Sequence, residues 1–363
     1  MKLSIIILTK DESETIGACV LSVLKSVERA KSAGLVDSAE VILVDSASTD
    51  NTIEIARSFP IRILRLSPDI PLSAGAGSYV GTQFASGGIL GIVNGDMVLD
   101  SDWLAESLPF LTGKVGAVLG IARECFSGAS LAERMLIRTP LELSPGFSTP
   151  ERLSTHSGGV SAGTMLLWRE AVDQAGSYNP FLVAAEDFDL RLRIEALGYS
   201  VLNIPVVQGD HHAKASGGSL ALSDLLRTLY RNSIGLGQLL RWRRGKSGYV
   251  WIILRRCVSL TATWSILLAC VLGMLAAAVV VEAILGRVSE SIAFVGALIA
   301  LLIRLSGPAG GDPWRNRFLS RFYPGLQALI RVAGLMNGFV RPSRDATVYP
   351  VRVEEIPTRS PSP

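Results

Sequence analysis

Apolar residues in the first part of the chain come in short, β-branched runs closed by polar residues. Ser4-Ile5-Ile6-Ile7-Leu8-Thr9 is one such run, Glu40-Val41-Ile42-Leu43-Val44 the next, and Ile61-Arg62-Ile63-Leu64-Arg65-Leu66 a third. A fourth covers residues 89–93. Short apolar runs of this kind read as buried strands. Between them, residues 15–30, 52–59 and 75–85 read as helices. Strand alternating with helix predicts an α/β fold whose mostly parallel sheet has helices on both faces. In such sheets ligands bind beyond the carboxyl ends of the strands. Asp45, Asn94 and Asp96 fall at such ends, which makes them candidate site residues.

From about residue 120 the alternation loosens. Pro140, Pro145 and Pro150, with nearby Ser, Thr and Gly, mark a loop over residues 139–155 that could close over a ligand. A strand-like run (residues 163–168), a helix (186–198) and a last strand (200–207) follow. The chain is 48% hydrophobic with a mean hydropathy of +0.38, and the apolar excess concentrates after residue 250. Residues 257–281 carry no charge, a length that spans a bilayer. Residues 291–303, closed by Arg304, predict a second short span or a re-entrant piece. Residues 323–339 read as an amphipathic interfacial helix.

Arginines flank this hairpin on both outer sides, while its turn holds only Arg287. The positive-inside rule therefore places both flanks, and the N-terminal domain, on the cytoplasmic side of the inner membrane, with membrane lipids as partners. Net charge is +3, so no global basic field favours nucleic acid. The four cysteines have no metal-type spacing and predict no disulfide framework. Met1-Lys2 leads straight into the first strand, so no secretory leader is expected.

Four polar patches carry the candidate chemistry. Val44-Asp45-Ser46-Ala47-Ser48-Thr49-Asp50 ends the second strand. Asp45 there suits recognition of a base N–H, and the same residues are also good helix caps for the segment from Thr52. Asn94-Gly95-Asp96 follows the fourth strand. Asn-Gly is a turn dipeptide. Asp96 equally supplies the carboxylate oxygen that Mg²⁺ or Mn²⁺ wants, with Asn94 bonding a ribose or a metal-bound water. Glu186-Asp187-Phe188-Asp189 opens a helix. Asp187 with Arg191 and Asp189 with Arg193 form i, i+4 pairs that alone would account for the acids. A carboxylate held at a helix start also suits a general base. Asp210-His211-His212 brings two of the three histidines after the last strand, where His211 is favoured as an imidazole metal ligand.

In this order and spacing the patches, with Thr9-Lys10-Asp11-Glu12, Gly163-Thr164-Met165-Leu166 and Gly198-Tyr199, resemble the family 2 glycosyltransferases over roughly residues 3–220. The resemblance implies a GT-A fold, a nucleoside-diphosphate sugar donor and transfer with inversion. By position, it implies that Thr9, Glu12 and Asp45 line the nucleotide pocket, Asp96 binds metal and Asp187 is the base. Glu186 and Asp189 become acceptor-side or positioning residues. The acceptor would be a glycan or lipid-linked molecule. The chain then divides into a catalytic domain (1–222), a basic juxtamembrane region (223–256), a membrane hairpin with interfacial helix (257–340) and a disordered Pro/Ser-rich tail (341–363).

Two departures stand out. Asn94-Gly95-Asp96 replaces Asp-x-Asp and is similar to the rhamnosyltransferase-like branch. Gly77-Ser78-Tyr79 stands where many members carry Ala-Arg-Asn, so a donor arginine is missing or comes from Arg62 or Arg65. Gln238-Leu239-Leu240-Arg241-Trp242 has the spelling of the Gln-x-x-Arg-Trp motif of processive synthases, in which Trp242 would stack on the acceptor; the plainer reading is a headgroup-level helix. A nucleotidyltransferase or a dinucleotide-binding oxidoreductase should open with a Gly-rich loop, and here that loop is Lys10-Asp11-Glu12-Ser13-Glu14. A non-enzymatic scaffold predicts loss of base or metal ligand, yet Asp187 and Asp96 are present.

Overall fold

The computed structural model describes residues 1–125, 163–212, 222–242, 330–342 and 344–358. The chain divides into two compact units. The first holds residues 1–125, 139–214 and 344–363, the second residues 126–138 and 215–343.

The first unit opens with β1 (Lys2–Thr9), α1 (Ile16–Ser32), β2 (Ser38–Asp45), α2 (Thr52–Ala56), β3 (Arg62–Leu66), α3 (Ala74–Phe84) and β4 (Ile89–Asn94). The expected elements all form, each within a few residues of the boundaries read from sequence. β5 (Met97–Leu99), α4 (Trp103–Ser107), β6 (Val115–Cys125), β7 (Met165–Trp168), α5 (Arg169–Gln174), α6 (Glu186–Ala196) and β8 (Ser200–His212) follow.

The strand pleat explains the isoleucine run. Leu3, Ile5 and Ile7 point to one face, where α1 packs through Ile16, Cys19, Val20, Val23 and Val27. Ile6, with Ile42 and Val44, points to the other face, under Ala76 and Val80 of α3, and the same apolar cluster continues through Ala117, Leu119 and Val201 to Leu190 and Ile194 of α6. A strand covered on both faces needs apolar residues at every position, so continuous runs replace alternation. Each fully buried Ile or Leu contributes roughly 1.5–3 kcal/mol.

The sheet order is β5-β8-β6-β7-β4-β1-β2-β3 with one further strand beyond β3. The expectation of a mostly parallel sheet needs correcting to a mixed one. β1 pairs in parallel with β2 and β4, β2 with β3, and β6 with β8. β4–β7, β6–β7 and β5–β8 are antiparallel. Parallel neighbours need a long crossover connection; β6 and β8 have one that includes α5 and α6, whereas β5 follows β4 after only a short turn.

The last strand also runs past the expected residue 207 to His212. Gly209 permits this. It has φ 149°, and a Cβ there would sit 2.1 Å from the Val98 carbonyl oxygen.

The tail is a second correction. Residues 344–358, expected to be disordered, are built into the first unit. The last element of the chain, β9 (Val353–Ile356), pairs antiparallel with β3 and ends the sheet. Arg62 clasps Glu355 through two hydrogen bonds of 2.7 and 3.0 Å, a bidentate pair that fixes the register locally.

The second unit contains α7 (Leu222–Trp242) and a helix over residues 330–340, α8. The two approach through small residues. A Cβ on Gly338 would lie 2.0 Å from the Ile234 carbonyl oxygen, and one on Gly334 2.6 Å from Ser233 Cβ. Gly334 and Gly338 form a G-x-x-x-G stripe, the spacing that lets helix backbones touch. Across the contact Asn337 donates to the Tyr230 hydroxyl at 2.9 Å. Val332, Met336, Phe339 and Val340 are exposed. Among the described residues no helix is long and apolar enough to cross a membrane. The expected spans at 257–281 and 291–303 and the loop at 139–155 lie outside the described residues.

Candidate active site

The carboxyl ends of β1, β2 and β4 lie side by side, with Thr9 opposite Asp45 and Leu8 opposite Asn94. Two loops leave these ends, and reciprocal aspartates zip them together. Asp11 on the first loop accepts the Thr49 amide of the second at 2.6 Å. Asp50 on the second loop accepts the Ser13 amide of the first at 3.0 Å. The Asp11 amide donates to Ser48 Oγ and the Glu12 amide to Thr52 Oγ1. Asp11 and Ala47 take left-handed backbone conformations, φ 51° and 56°, to make the turns.

The Thr49 amide and hydroxyl, against an opposing effect of burial, hold the Asp11 carboxyl below its usual range. Burial pushes the Asp50 carboxyl up. Hydrogen bonds from Thr52 and Ser13 outweigh this and bring it down to about 2.

Asp45 is fully buried. One carboxylate oxygen accepts the Ser48 hydroxyl, and the other accepts the Ser48 amide at 3.0 Å with Arg65 Nε at 3.6 Å. Burial raises its carboxyl above the ordinary value, while Ser48 and Arg65 pull the other way. Its turn-making role is thus the one observed, and Asp45 builds the pocket wall. Of the two arginines considered for the donor, Arg62 is committed to Glu355 and Arg65 is at the site, donating to Ser48 O at 2.9 Å.

Thr9 donates to Glu12 at 2.8 Å, and Thr15 donates to the Gly95 carbonyl at 3.0 Å. A Cβ on Gly95 would lie 2.0 Å from Glu12 Oε2 and 3.0 Å from Thr9 Oγ1. Gly95 is therefore needed where it stands, because Thr9, Glu12 and the turn occupy one small volume. Cys19 lies beneath, its Sγ 3.5 Å from the Asn94 carbonyl. Burial, with the Glu12 and Asp96 charges, pushes its thiol well above the usual value, so it is an inert floor. Asn94 packs beside Gly163, which has φ 77°.

Asp96 and His211 meet across the β5–β8 ladder. Met97 stands opposite His211, and the His212 amide donates to the Asp96 carbonyl at 2.8 Å. His211 Nε2 is 3.2 Å from Asp96 Oδ2. Asp96 Oδ1 is buried with no hydrogen-bond partner. Buried carboxylate oxygens are normally paired, so this oxygen fits a hard cation. Among the described residues no group of three or more His, Cys, Asp and Glu converges. Nearby, Arg123 pairs with Asp210 at 2.6 Å. Arg123 and Lys10, which donates to Ser46 O at 3.3 Å, are cations to which no sequence motif gives a role. Only topology brings them to this edge.

α6 starts at Glu186 directly after Ala185, whose φ is 64°. Both expected i, i+4 pairs form. Asp189 is buried and meets Arg193 at 2.8 Å, and Arg193 also reaches the Ala175 and Ser177 carbonyls. Asp189 therefore positions the helix and has no open side for a ligand. Asp187 is looser: Arg191 NH2 lies 3.5 Å away and its side chain remains 25% exposed. Burial, with the nearby Asp187 and Glu186 charges, pushes the Tyr178 hydroxyl well above its usual value, which keeps it neutral beneath the helix start.

Trp242 belongs to the second unit. Its indole N–H donates to the Arg341 carbonyl at 3.4 Å, and Arg241 donates to the Phe339 and Val340 carbonyls. These residues cap the end of α8.

Known proteins share parts of this sequence and this fold. Residues 4–176 match the family model described as Glycosyl transferase family 2. The chain is 27% identical over 266 residues to the glycosyltransferase AglE of Haloferax volcanii, covering 72% of this chain and 79% of that one. It is 28% identical over 234 residues to the uncharacterized protein y4gI of Sinorhizobium fredii, and spans only 25% of that relative's length. Its fold is similar to that of the mannosyltransferase PcManGT from Pyrobaculum calidifontis, solved in complex with GDP-Man and Mn²⁺. The TM-score is 0.54 at 16% identity, covering 93% of this chain and 87% of that one. Residues 4–176 are thus a glycosyl transferase family 2 domain, and the protein is a glycosyltransferase.

Proposed function

We propose that this enzyme moves a sugar from a nucleoside-diphosphate sugar to a hydroxyl of a membrane-associated glycan or lipid-linked acceptor, with inversion. The observation that carries the reading is the Asp96–His211 pair at the strand ends, with Asp96 Oδ1 buried and unmet. The similar mannosyltransferase fold, solved with GDP-Man and Mn²⁺, supports it.

Thr9, Glu12 and the wall built on Asp45 would line the nucleotide, with Arg65 at its rim. Asn94 would bond the ribose. Asp96 and His211 would hold Mg²⁺ or Mn²⁺, which when bound supplies Lewis-acid neutralisation of the departing diphosphate. On the other side, Asp187 would accept the proton of the acceptor hydroxyl. As that oxygen bonds to the anomeric carbon, the bond from carbon to the diphosphate oxygen breaks, and its electron pair leaves with the nucleotide. Glu186 and the buried Asp189–Arg193 pair would keep Asp187 in place.

Membrane attachment at the inner leaflet is supported by the charge-free run 257–281 and by the apolar face of α8. Because residues 353–356 return to the sheet that residues 2–9 begin, both ends of the catalytic unit share one compartment. The capping roles of Arg241 and Trp242 favour single transfers over processive synthesis.

The test is nucleoside diphosphate release from a panel of UDP-, GDP- and dTDP-sugars with Mn²⁺ or Mg²⁺, using detergent-purified full-length protein. Release from one donor, lost in Asp187→Asn when an acceptor is supplied, is expected. Release that is unchanged in Asp187→Asn with acceptor present would remove the base from the proposal.

A further inference from the structure

Tyr349 lies in the returning C-terminal segment, far in sequence from every site residue, yet it is only 5% exposed. Its hydroxyl donates to the Pro71 carbonyl at 2.7 Å. Its ring stands edge-on to Tyr79 at 5.9 Å and to Phe181 at 5.5 Å. The Arg344 guanidinium covers Phe181 at 5.5 Å.

These contacts join two segments that flank the start of α6. One is the lead into α3, where Ser73 caps the helix through the Ala76 amide and donates to the Pro180 carbonyl at 3.0 Å. The other is the approach to α6, where the Phe181 amide donates to Asn179 Oδ1 at 3.0 Å. The two pack so closely that a Cβ on Gly75 would lie 2.6 Å from the Asn179 carbonyl oxygen and 3.2 Å from Glu186 Cβ. Beyond them the chain turns through left-handed Ala185 directly into Glu186 and Asp187. No regular element supports residues 179–185, so their path depends on side-chain contacts, those of Phe181 and Pro180 beside the buried Leu182 and Ala184.

We infer that Tyr349 is a positioning residue for the acceptor side of the active site: it wedges between α3 and the loop before α6, and so fixes the direction in which Asp187 points. The inference rests on the proposed role of Asp187 as base. A base must be placed to within a fraction of an ångström, and a misplacement of about 1 Å costs on the order of a hundredfold in rate. The strap therefore completes the catalytic unit chemically as well as structurally. Tyr349→Phe keeps the ring and loses only the hydrogen bond to Pro71. Tyr349→Ala removes the wedge.

The experiment compares these two variants of the full-length protein, each alone and combined with Asp187→Asn. Tyr349→Ala is expected to lower kcat roughly ten- to hundredfold with donor affinity unchanged, and Tyr349→Phe to keep most of the rate. In the Asp187→Asn background, Tyr349→Ala should add little, because both act through one group. Independent losses that multiply would overturn the inference. Hydrogen exchange supplies a readout that needs no activity. Amides of residues 181–189 should lose protection in Tyr349→Ala, while those of residues 3–9 and 41–45 keep it. Unchanged exchange at 181–189 overturns the inference even if the transferase mechanism stands. Loosened exchange with an intact rate in Asp187→Asn would instead remove the base and leave the strap in place. Should Tyr349→Ala fail to fold, Phe181→Leu opens the same contact from the other side and is read in the same way.

Discussion

The two halves of the proposed active site are built in opposite ways. On the donor side, the loops after β1 and β2 bind each other through Asp11, Ser48, Asp50 and Thr52, so that their amides meet side-chain acceptors. On the acceptor side, Asp187 has one distant arginine, and Arg191 Nε is buried without a hydrogen-bond partner. Rigidity there comes from behind, through the Asp189–Arg193 pair and the aromatic wedge of Tyr349. The difference follows from the proposed chemistry. A nucleotide pocket gains by being preorganised, since every loop ordered in advance lowers the cost of binding. A base must keep a lone pair free for the incoming proton, so its supports have to act on its neighbours.

The contrast can be broken in graded steps. Asp187→Asn has the largest expected effect, a fall in kcat of roughly 10²- to 10⁴-fold with donor binding intact; steady-state kinetics beside donor titration read both. Arg193→Met comes next and acts on stability. It leaves Asp189 buried and uncompensated, which costs about 3–5 kcal/mol, visible as a large drop in the denaturant midpoint. Gly95→Ala is milder. The new methyl displaces Glu12 and overpacks the turn, costing about 1–3 kcal/mol and weakening donor binding more than it slows turnover.

The smallest effect is that of acid on the loop lock. Asp11 and Asp50 are both held below their unfolded values. Their contribution is complete above the unfolded value near 3.9 and is lost as pH falls through the folded one, about 2 for Asp50. Protection of the Ser13 and Thr49 amides should therefore fade between about pH 4 and pH 2, while the β1 and β2 amides stay protected.

Much of the donor side was legible because its signals are local. Isoleucine runs buried on both faces, and aspartates placed where strands end, are determined within a few residues of sequence. The C-terminal segment was less legible because its partners are distant in sequence. Nothing in Val353-Glu354-Glu355-Ile356 marks a strand; it is one because it pairs with β3, far back in the chain, where Arg62 receives Glu355. The same holds for Tyr349, whose neighbours Pro71, Tyr79 and Phe181 come from two other segments. Gly209 hid the extension of β8, since glycine before Asp-His-His reads as a turn. Asp45 was legible in part: its sequence context fits both a turn and a base-binding role, and the buried turn is the one seen in the fold. Gln238-x-x-Arg241-Trp242 matched a functional spelling, and Arg241 and Trp242 serve to cap a helix.

The central claim is that Asp96 and His211 hold a divalent cation against the donor diphosphate. Its most direct test is nucleoside diphosphate binding, measured by calorimetry with and without Mn²⁺, in the native protein and in Asp96→Ala. Cation should tighten binding to the native protein, and Asp96→Ala should abolish that gain while leaving cation-free binding unchanged. An equal Mn²⁺ gain in both proteins would contradict the account and place the cation elsewhere.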